Sequence, residues 1–241
     1  SSDEKYYFIS TSDHNTSEQY YFSVNDERPK PKLIQKREKG IIYSVNSWND
    51  SFYMHTNKDA EDFKIEKTKD INFKKWDTYV PAKDETLIGG LTFLKNWEIR
   101  SEVTNALGKI FVKNLKDNKE EELIFSDEEV FDGGVSLVQK DKNTDLIHIS
   151  YSTPKTQSRV YLYNLRTKEK KLVKEQIIPS GHNSNDYVVE RLECLSHDGR
   201  KVPLTITRHK KTKIDGNANV LLYGYGSYGN SMSPNFSSTR L

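Results

Sequence analysis

Short runs in which apolar or aromatic residues alternate with polar ones fill the first three quarters of the chain. Four of them begin at Tyr7, Phe52, Trp97 and Ile147, so they recur at intervals of about 45 to 50 residues. Their β-branched and aromatic side chains and their alternation are typical of β-strands. The interval is in the range expected for the blades of a β-propeller.

Further strands surround each of these four runs. A second run follows each (EQYYFSV, DFKIEKT, KIFVKNL, RVYLYNL), then a third (KPKLIQK, DTYVPA, EELIFS, KKLVKE), and a leading run precedes all but the first (IIYSVNS, LTFLKN, VSLVQKD). Polar turns separate the runs, and no segment has a helical period. The fold class we predict is therefore mainly β: a partial β-propeller of about four blades, each of four antiparallel strands.

The repeats predict blade boundaries. Three complete units occupy roughly residues 40–87, 88–129 and 130–176, and most of a fourth precedes them. A sandwich of ordinary amphipathic strands is the alternative. The chain has no initiator Met and opens on a turn and a strand, so we expect it to be a piece of a longer protein.

The pattern changes after residue 176. A polar connector from Pro179 to Asp186 predicts a linker, and the next segment predicts a hairpin that turns at Asp198-Gly199. Alternate apolar residues of the hairpin are expected to face inward: Leu192 and Cys194, then Val202, Leu204 and Ile206. The apolar run NVLLYGYG predicts a strand near 220–225 that is buried on both faces, with the hairpin packed against it. A partial propeller at 1–178 and the first strands of an α/β domain at 179–241 are thus predicted.

Composition excludes several classes of function. The chain has 241 residues, 30% of them charged, and a net charge of +2 that is spread along its length, unlike the basic patch of a nucleic-acid-binding protein. No apolar run approaches the roughly 18 residues that a membrane span needs. A single cysteine, Cys194, cannot form an internal disulfide, which favours a cytoplasmic location.

Three glycines, Gly224, Gly226 and Gly229, have the G-x-G-x-x-G spacing of a dinucleotide-binding turn. That turn needs a helix to begin at the third glycine, but Pro234 lies among Asn and Ser residues there. We therefore expect no nucleotide and no other cofactor. The glycines instead allow a sharp turn from which Tyr223, Tyr225 and Tyr228 project.

Patterns that suggest a metal site are incomplete. Asp141, Asn143 and Asp145 resemble the start of a calcium loop, but the loop's glycine and final glutamate are missing. Cys194 and His197 have C-x-x-H spacing without a second pair. No metal is therefore predicted.

The segment LLYGYGSYGNSMSPNFSSTRL resembles the first buried strand and following loop of the peptidase domain in the prolyl oligopeptidase family. The propeller segments REKGIIYSV, TNKDAEDF and YSTPKTQSRVYLYNL carry the same resemblance, so it covers nearly the whole chain. Within that family the sequence is most similar to the oligopeptidase B, or protease II, subfamily. The resemblance implies a propeller that caps an α/β-hydrolase domain.

For single residues, the resemblance implies that Tyr225 donates its hydroxyl to the oxyanion and that Tyr228 lines the substrate pocket. A preformed donor where negative charge develops is what acyl transfer needs. The alternative is that both tyrosines only pack against a buried strand. No serine of the chain has the G-x-S-x-G pattern of a nucleophile elbow, and the family places its serine, aspartate and histidine further along the chain. We therefore expect this chain alone to be inactive.

The leading functional hypothesis, which the resemblance implies, is that this chain is part of a serine peptidase. That peptidase would cleave short peptides after Lys or Arg, and its propeller would gate access to the active site. Its partners would be short peptides with basic residues, with no nucleic acid and no membrane. Self-association through open propeller edges, or association with the missing remainder of the protein, is also expected. A non-catalytic propeller that binds peptides or other partners is the alternative. A glycan-processing or lectin-like propeller is weakly supported, because the paired carboxylates of glycan hydrolysis are missing.

Overall fold

The computed structural model describes residues 1–228 and 230–241 of the chain. Over this part, the regular structure is β-strand apart from two 3-10 turns, Ser184–Asp186 and Ser227–Gly229. Neither turn has the length or the apolar character to cross a membrane, and the described residues hold no other helix. The prediction of a mainly β fold is confirmed.

Four sheets contain the repeats, and within each sheet the strands are adjacent in sequence order. The first sheet comprises β1 (Tyr6–Ser12), β2 (Ser17–Ser23) and β3 (Lys32–Gln35), and the second β4 (Tyr43–Trp48), β5 (Ser51–Thr56), β6 (Lys64–Thr68) and β7 (Asp77–Val80). The third comprises β8 (Thr86–Leu94), β9 (Trp97–Thr104), β10 (Leu107–Asn114) and β11 (Glu120–Glu122), and the fourth β12 (Asp132–Leu137), β13 (Leu146–Ser152), β14 (Arg159–Asn164) and β15 (Lys170–Glu175).

These sheets match the predicted blades. Each of the three complete units contains one four-stranded sheet, and the first sheet has three strands, as expected for most of a fourth unit. Neighbouring strands pair antiparallel, for example with Tyr43 opposite Thr56 and Ile147 opposite Tyr163. Polar turns of a few residues join them, which is why pairing follows the order of the sequence.

The described residues form two compact units. One contains Ser1–Val103 and Phe111–Glu120, and the other contains Thr104–Ile110 and Glu121–Leu241. The second sheet in the first unit is buried on both faces. One face packs on the first sheet, with Phe52 5.1 Å from Tyr6 between ring centroids, and the other packs on β8, where Trp48 stacks on Phe93 at 5.6 Å. A stacked pair such as Trp48 and Phe93 contributes about 0.5 to 1.5 kcal/mol beyond its buried area.

In the second unit, the fourth sheet has an aromatic core. Phe125 lies 5.1 Å from Tyr161 and 5.5 Å from Tyr151 between ring centroids, and Ile147 and Ile149 are fully buried beside them. The chain then leaves the sheet through the 3-10 turn at Ser184–Asp186. His182, just before that turn, donates a 2.6 Å hydrogen bond from Nε2 to the Lys155 carbonyl, which connects this segment to the second unit.

The predicted hairpin forms, as a two-stranded antiparallel sheet of β16 (Tyr187–Leu195) and β17 (Lys201–His209). Gly199 lies in its turn with φ +80°, a conformation that favours glycine. The prediction that its apolar face is buried was wrong. Leu192, Cys194, Val202 and Ile206 are exposed, because a two-stranded sheet has one layer and no described segment covers this face.

The prediction of a buried strand near 220–225 was also wrong. These residues form no strand, and Val220, Leu221 and Leu222 are largely exposed. A continuous apolar run forms a doubly buried strand only when strands on both sides satisfy its backbone, and the described residues supply none. The hairpin consequently has no such strand to pack against. The division into domains at residues 178 and 179 stays a prediction.

Candidate functional site

The segment that contains Gly224, Gly226 and Gly229 is the glycine-rich loop. It carries Tyr225 and Tyr228, the two tyrosines for which the sequence predicts a function. Tyr225 is 52% exposed and Tyr228 is 84% exposed. Tyr228 lies in the left-handed region of backbone space, with φ 56°, inside the 3-10 turn Ser227–Gly229. Within residues 1–228 and 230–241, neither side chain forms a hydrogen bond, an ion pair or a ring contact, so the structure leaves both hydroxyl groups accessible and does not bring them to a common partner.

A second candidate site, which the sequence analysis missed, lies in the third sheet. Glu98, Arg100 and Glu102 occupy alternate positions of β9 and therefore share one face of the strand. Charged residues are almost never fully buried unless they are paired. Here all three are nearly inaccessible, with 1%, 3% and 3% exposure. Their alternation with apolar or small residues in the segment WEIRSEV was the available signal.

Glu98 is bound through a tyrosine from a neighbouring sheet. The Tyr79 hydroxyl on β7 donates a 2.7 Å hydrogen bond to Glu98 Oε2, and Lys113 Nζ on β10 donates a 2.9 Å bond to the Tyr79 oxygen. Burial raises the pKa of Glu98, because a carboxylate loses hydration there, while Tyr79 and Lys113 partly oppose the shift. Burial also raises the pKa of Tyr79, and the charge of Glu98 adds to the effect.

Two carboxylates bind Arg100. Its Nη1 and Nη2 donate to the two oxygens of Glu120 at 2.7 and 2.9 Å, and its Nε donates to Glu102 at 2.9 Å. Glu102 also accepts two bonds from Lys83, at 2.7 and 2.8 Å. The hydrogen bonds from Arg100 lower the pKa of Glu120. Removing one partner from such a network typically costs about 3 to 5 kcal/mol, because a charge is then buried without compensation.

Apart from Glu102, these groups line an open cleft of about 290 Å³. Tyr79, Val80 and Pro81 form an apolar and aromatic part of the wall, and Lys113, Asn118 and Glu120 contribute polar groups. The described lining contains no serine, cysteine or histidine, the side chains of a serine or cysteine peptidase centre. It offers charged groups and hydrogen-bonding groups to a ligand.

The charged side chains of the described residues are not arranged as metal ligands. Over residues 1–228 and 230–241, no group of three or more His, Cys, Asp or Glu side chains is arranged to hold a metal ion. The turn that resembles a calcium loop is closed by its own side chain, since Asp141 Oδ1 accepts the backbone N–H of Asn143 at 2.8 Å.

Comparison with known proteins identifies the fold and its family. The family model of the prolyl oligopeptidase N-terminal β-propeller domain matches residues 1–176, which include all four repeat sheets. The chain belongs to the prolyl oligopeptidase family. The family resemblance inferred from the sequence is thereby confirmed, and the sheets described above are blades of its propeller.

Curated members of the prolyl oligopeptidase family are similar over most of the chain. Dipeptidyl aminopeptidase BI from Pseudoxanthomonas mexicana is 32% identical over 213 residues, which are 87% of this chain and 29% of that protein. Protease 2 from Moraxella lacunata is 26% identical over 249 aligned positions, covering 98% of this chain and 34% of that protein. The chain thus spans about a third of the length of the curated relatives it matches.

A solved structure from the same family agrees with the fold. Oligopeptidase B from Trypanosoma brucei, in a closed form with covalently bound antipain, superposes with a TM-score of 0.89 and 28% sequence identity. The match covers 100% of this chain and 36% of that one. It therefore includes the hairpin and the glycine-rich loop as well as the blades.

Proposed function

We propose that this chain is part of an oligopeptidase B-like serine peptidase that hydrolyses short peptides after Lys or Arg. The observation that carries the proposal is the similarity of the whole chain to oligopeptidase B from Trypanosoma brucei, at 28% identity. The propeller would limit entry to short peptides. The nucleophile, base and acid would come from another part of the complete protein, since no G-x-S-x-G pattern is present in these 241 residues.

Two residues of the glycine-rich loop have roles in this proposal. Tyr225 would donate its hydroxyl to the oxyanion that forms when the peptide carbonyl is attacked. Tyr228 would contact the substrate with its ring. Both side chains are exposed and neither hydroxyl is engaged by the described residues, which is compatible with a function toward a ligand.

A second candidate is a dipeptidyl aminopeptidase. The 32% identity with dipeptidyl aminopeptidase BI over 87% of this chain favours it. Such an enzyme would require the free amino end of its substrate, whereas an oligopeptidase would accept a blocked one. The two proposals therefore differ in what they predict for a peptide whose amino group is acylated.

The test is to express the complete reading frame that encodes this chain and to assay two matched fluorogenic amides. Both are dipeptide amides with Arg before the scissile bond. One has an acylated amino end, and the other has a free amino end. Turnover of the acylated substrate supports the oligopeptidase. Turnover of only the free form supports the dipeptidyl aminopeptidase and contradicts the leading proposal.

Substrates with Ala or Glu in place of Arg are the specificity control, and they should be cleaved much more slowly. A fluorophosphonate that labels active serines should label the complete protein, and the 241-residue chain should be neither labelled nor active. Absence of both turnover and labelling in the complete protein would favour a propeller that only binds partners.

A further inference from the structure

Two lysines beside the cleft have ammonium groups that form no direct salt bridge with the described residues, although both feel the charge of Glu98. Within the described residues, the single hydrogen bond of Lys113 Nζ, at 2.9 Å, goes to the neutral hydroxyl of Tyr79. Lys67 Nζ forms neither a hydrogen bond nor a salt bridge in the same part of the chain; it lies 5.0 Å from the ring centroids of Tyr53 and Tyr79. Both lysine side chains are half-buried, and each ammonium group has three donors, of which the described residues engage at most one. This geometry favours an anionic ligand.

The other cations of the cleft are already neutralised. Arg100 is bound by Glu102 and Glu120, and Lys83 is bound by both oxygens of Glu102. Among the described lining residues, Lys113 is therefore the cation that remains available, and its Nζ lies 4.8 Å from the centroid of the Tyr79 ring. Lys67, on the adjacent β6, adds a second positive charge near the same ring. A ligand carboxylate placed at Lys113 would give this ammonium group the direct salt bridge that the described residues do not form.

The remaining lining indicates what is attached to that carboxylate. Val80 and Pro81 offer apolar contact to a carbon chain, and the side-chain oxygens of Asn118 and Glu120 can accept hydrogen bonds from amide N–H groups. The volume of about 290 Å³ is close to the lower end, about 300 Å³, of the usual range for small-molecule sites. A bare inorganic anion would use the cation but neither the apolar wall nor the acceptors.

We propose that this cleft binds a small organic carboxylate, with Lys113 donating to the carboxylate, Lys67 as a supporting charge, and the wall of Tyr79, Val80 and Pro81 against the adjoining chain. Its biological ligand would be the C-terminal end of a short peptide, an identification that rests on the proposed peptidase function. The site lies in the propeller and contains neither Tyr225 nor Tyr228.

Glu98 makes this binding depend on pH. It faces Tyr79 of β7, Lys113 of β10, Arg100 of its own strand and Glu120 of β11, and burial raises its pKa. An ionised Glu98 repels a bound carboxylate, whereas a protonated one does not. Affinity should consequently fall as the pH rises through the raised pKa of Glu98, and a bound carboxylate should raise that pKa further.

The experiment is to titrate the 241-residue chain with N-acetyl-dialanine and with its C-terminal amide, and to follow binding by calorimetry and by NMR. The acid should bind about tenfold to a hundredfold more tightly than the amide, since it offers a charge-assisted hydrogen bond to Lys113. Lys113→Gln should lower the affinity for the acid by a similar factor and leave the amide unaffected. Lys109→Gln is the matched control, because Lys109 lies on the same strand but is paired with Glu122 at 3.5 Å.

Equal binding of acid and amide by the wild-type chain, or no detectable binding of either, would overturn the proposal. So would displacement of the acid by an equal concentration of inorganic phosphate, which would show a general anion site. If Lys113→Gln fails to fold, as judged by its thermal unfolding, the comparison of acid and amide on the wild type still decides. Because no turnover is measured, acid-selective binding would stand even if the complete protein proved inactive as a peptidase, and peptidase activity would stand without it.

Discussion

At the residue scale, the proposed function assigns one role to the hydroxyl group of Tyr225, which is to donate a hydrogen bond to the oxyanion. In the complete protein, Tyr225→Phe keeps the ring and removes only the donor. We expect kcat to fall by about 10² to 10³, equivalent to about 2.7 to 4 kcal/mol. KM should change little if the hydrogen bond strengthens only in the transition state. The measurement is the steady-state hydrolysis of the acylated Arg amide.

Tyr223→Phe provides the matched control for that measurement. Tyr223 lies two residues earlier in the same loop, and its ring faces Arg240, with 5.8 Å between the centroid and Cζ. Its replacement should leave kcat close to the wild-type value. An unchanged kcat for Tyr225→Phe would show that this tyrosine has no role in stabilising the oxyanion.

Glu98 gives a second prediction at the residue scale, on stability. Burial raises its pKa above the ordinary value of 4.5, so the folded protein holds the proton more tightly than the unfolded chain does. Its stabilising contribution is full below the unfolded pKa and is lost as the pH rises through the folded pKa. Glu98→Gln does not titrate, and its amide oxygen can still accept the bond from Tyr79.

The free energy of unfolding of Glu98→Gln, minus that of the wild type, should therefore increase with pH from about 4.5 upward. The increase cannot exceed about 1.4 kcal/mol per pH unit for one proton. Urea unfolding at a series of pH values measures it, with the exposed Glu61→Gln as the control that should follow the wild type. A difference that stays constant with pH would contradict the assignment.

At the scale of elements, the pairing of β8 with β9 depends on one glycine. A Cβ built on Gly89 would lie 2.2 Å from Ser101 Oγ and 2.7 Å from the Ser101 carbonyl oxygen. The hydroxyl can rotate away, but the carbonyl belongs to the neighbouring strand and can move only if the strands separate. The third sheet therefore tolerates no side chain at this position.

Gly89→Ala should accordingly destabilise the chain, by about 1 to 3 kcal/mol, as overpacked sites do. Gly90→Ala is the matched control: a Cβ there meets no atom within 4 Å, and the loss of unfolded-state freedom should make the change neutral or stabilising by up to about 1 kcal/mol. Chemical unfolding of both variants measures the difference. Equal stabilities would show that β8 and β9 adjust to the extra methyl group.

At the scale of the whole molecule, exposed apolar surface predicts association. Val220, Leu221 and Leu222 are consecutive and largely exposed. Contiguous apolar surface on a soluble chain usually marks a contact with another protein surface. We expect the 241-residue chain to self-associate at high concentration.

Replacing Val220, Leu221 and Leu222 together by Ser should shift the chain toward monomer without loss of the sheets. Sedimentation velocity over a range of concentrations measures the shift, and circular dichroism checks the fold. Ile124→Ser removes an isolated exposed apolar residue and serves as the control. A wild-type chain that stays monomeric at all concentrations would refute the prediction.

The sequence by itself determined the blades, because their determinants are local. Alternation with period 2 and polar turns specify each strand, and four repeats place the sheets, so the predicted units coincide with β1 to β15. The same holds for the hairpin at Asp198-Gly199, whose turn residues lie between its strands. The family, too, was recognisable from short motifs.

Only the tertiary structure decided where charge is buried. Glu98, Arg100 and Glu102 become a cluster because Tyr79, Lys113 and Glu120 reach them from β7, β10 and β11, and no local pattern records such long-range partners. Neighbouring strands also determine whether an apolar run is buried or exposed. The segment 220–225 has the composition of a buried strand but stays exposed, because a strand's backbone and side chains gain stability only from neighbours that pair with and cover them.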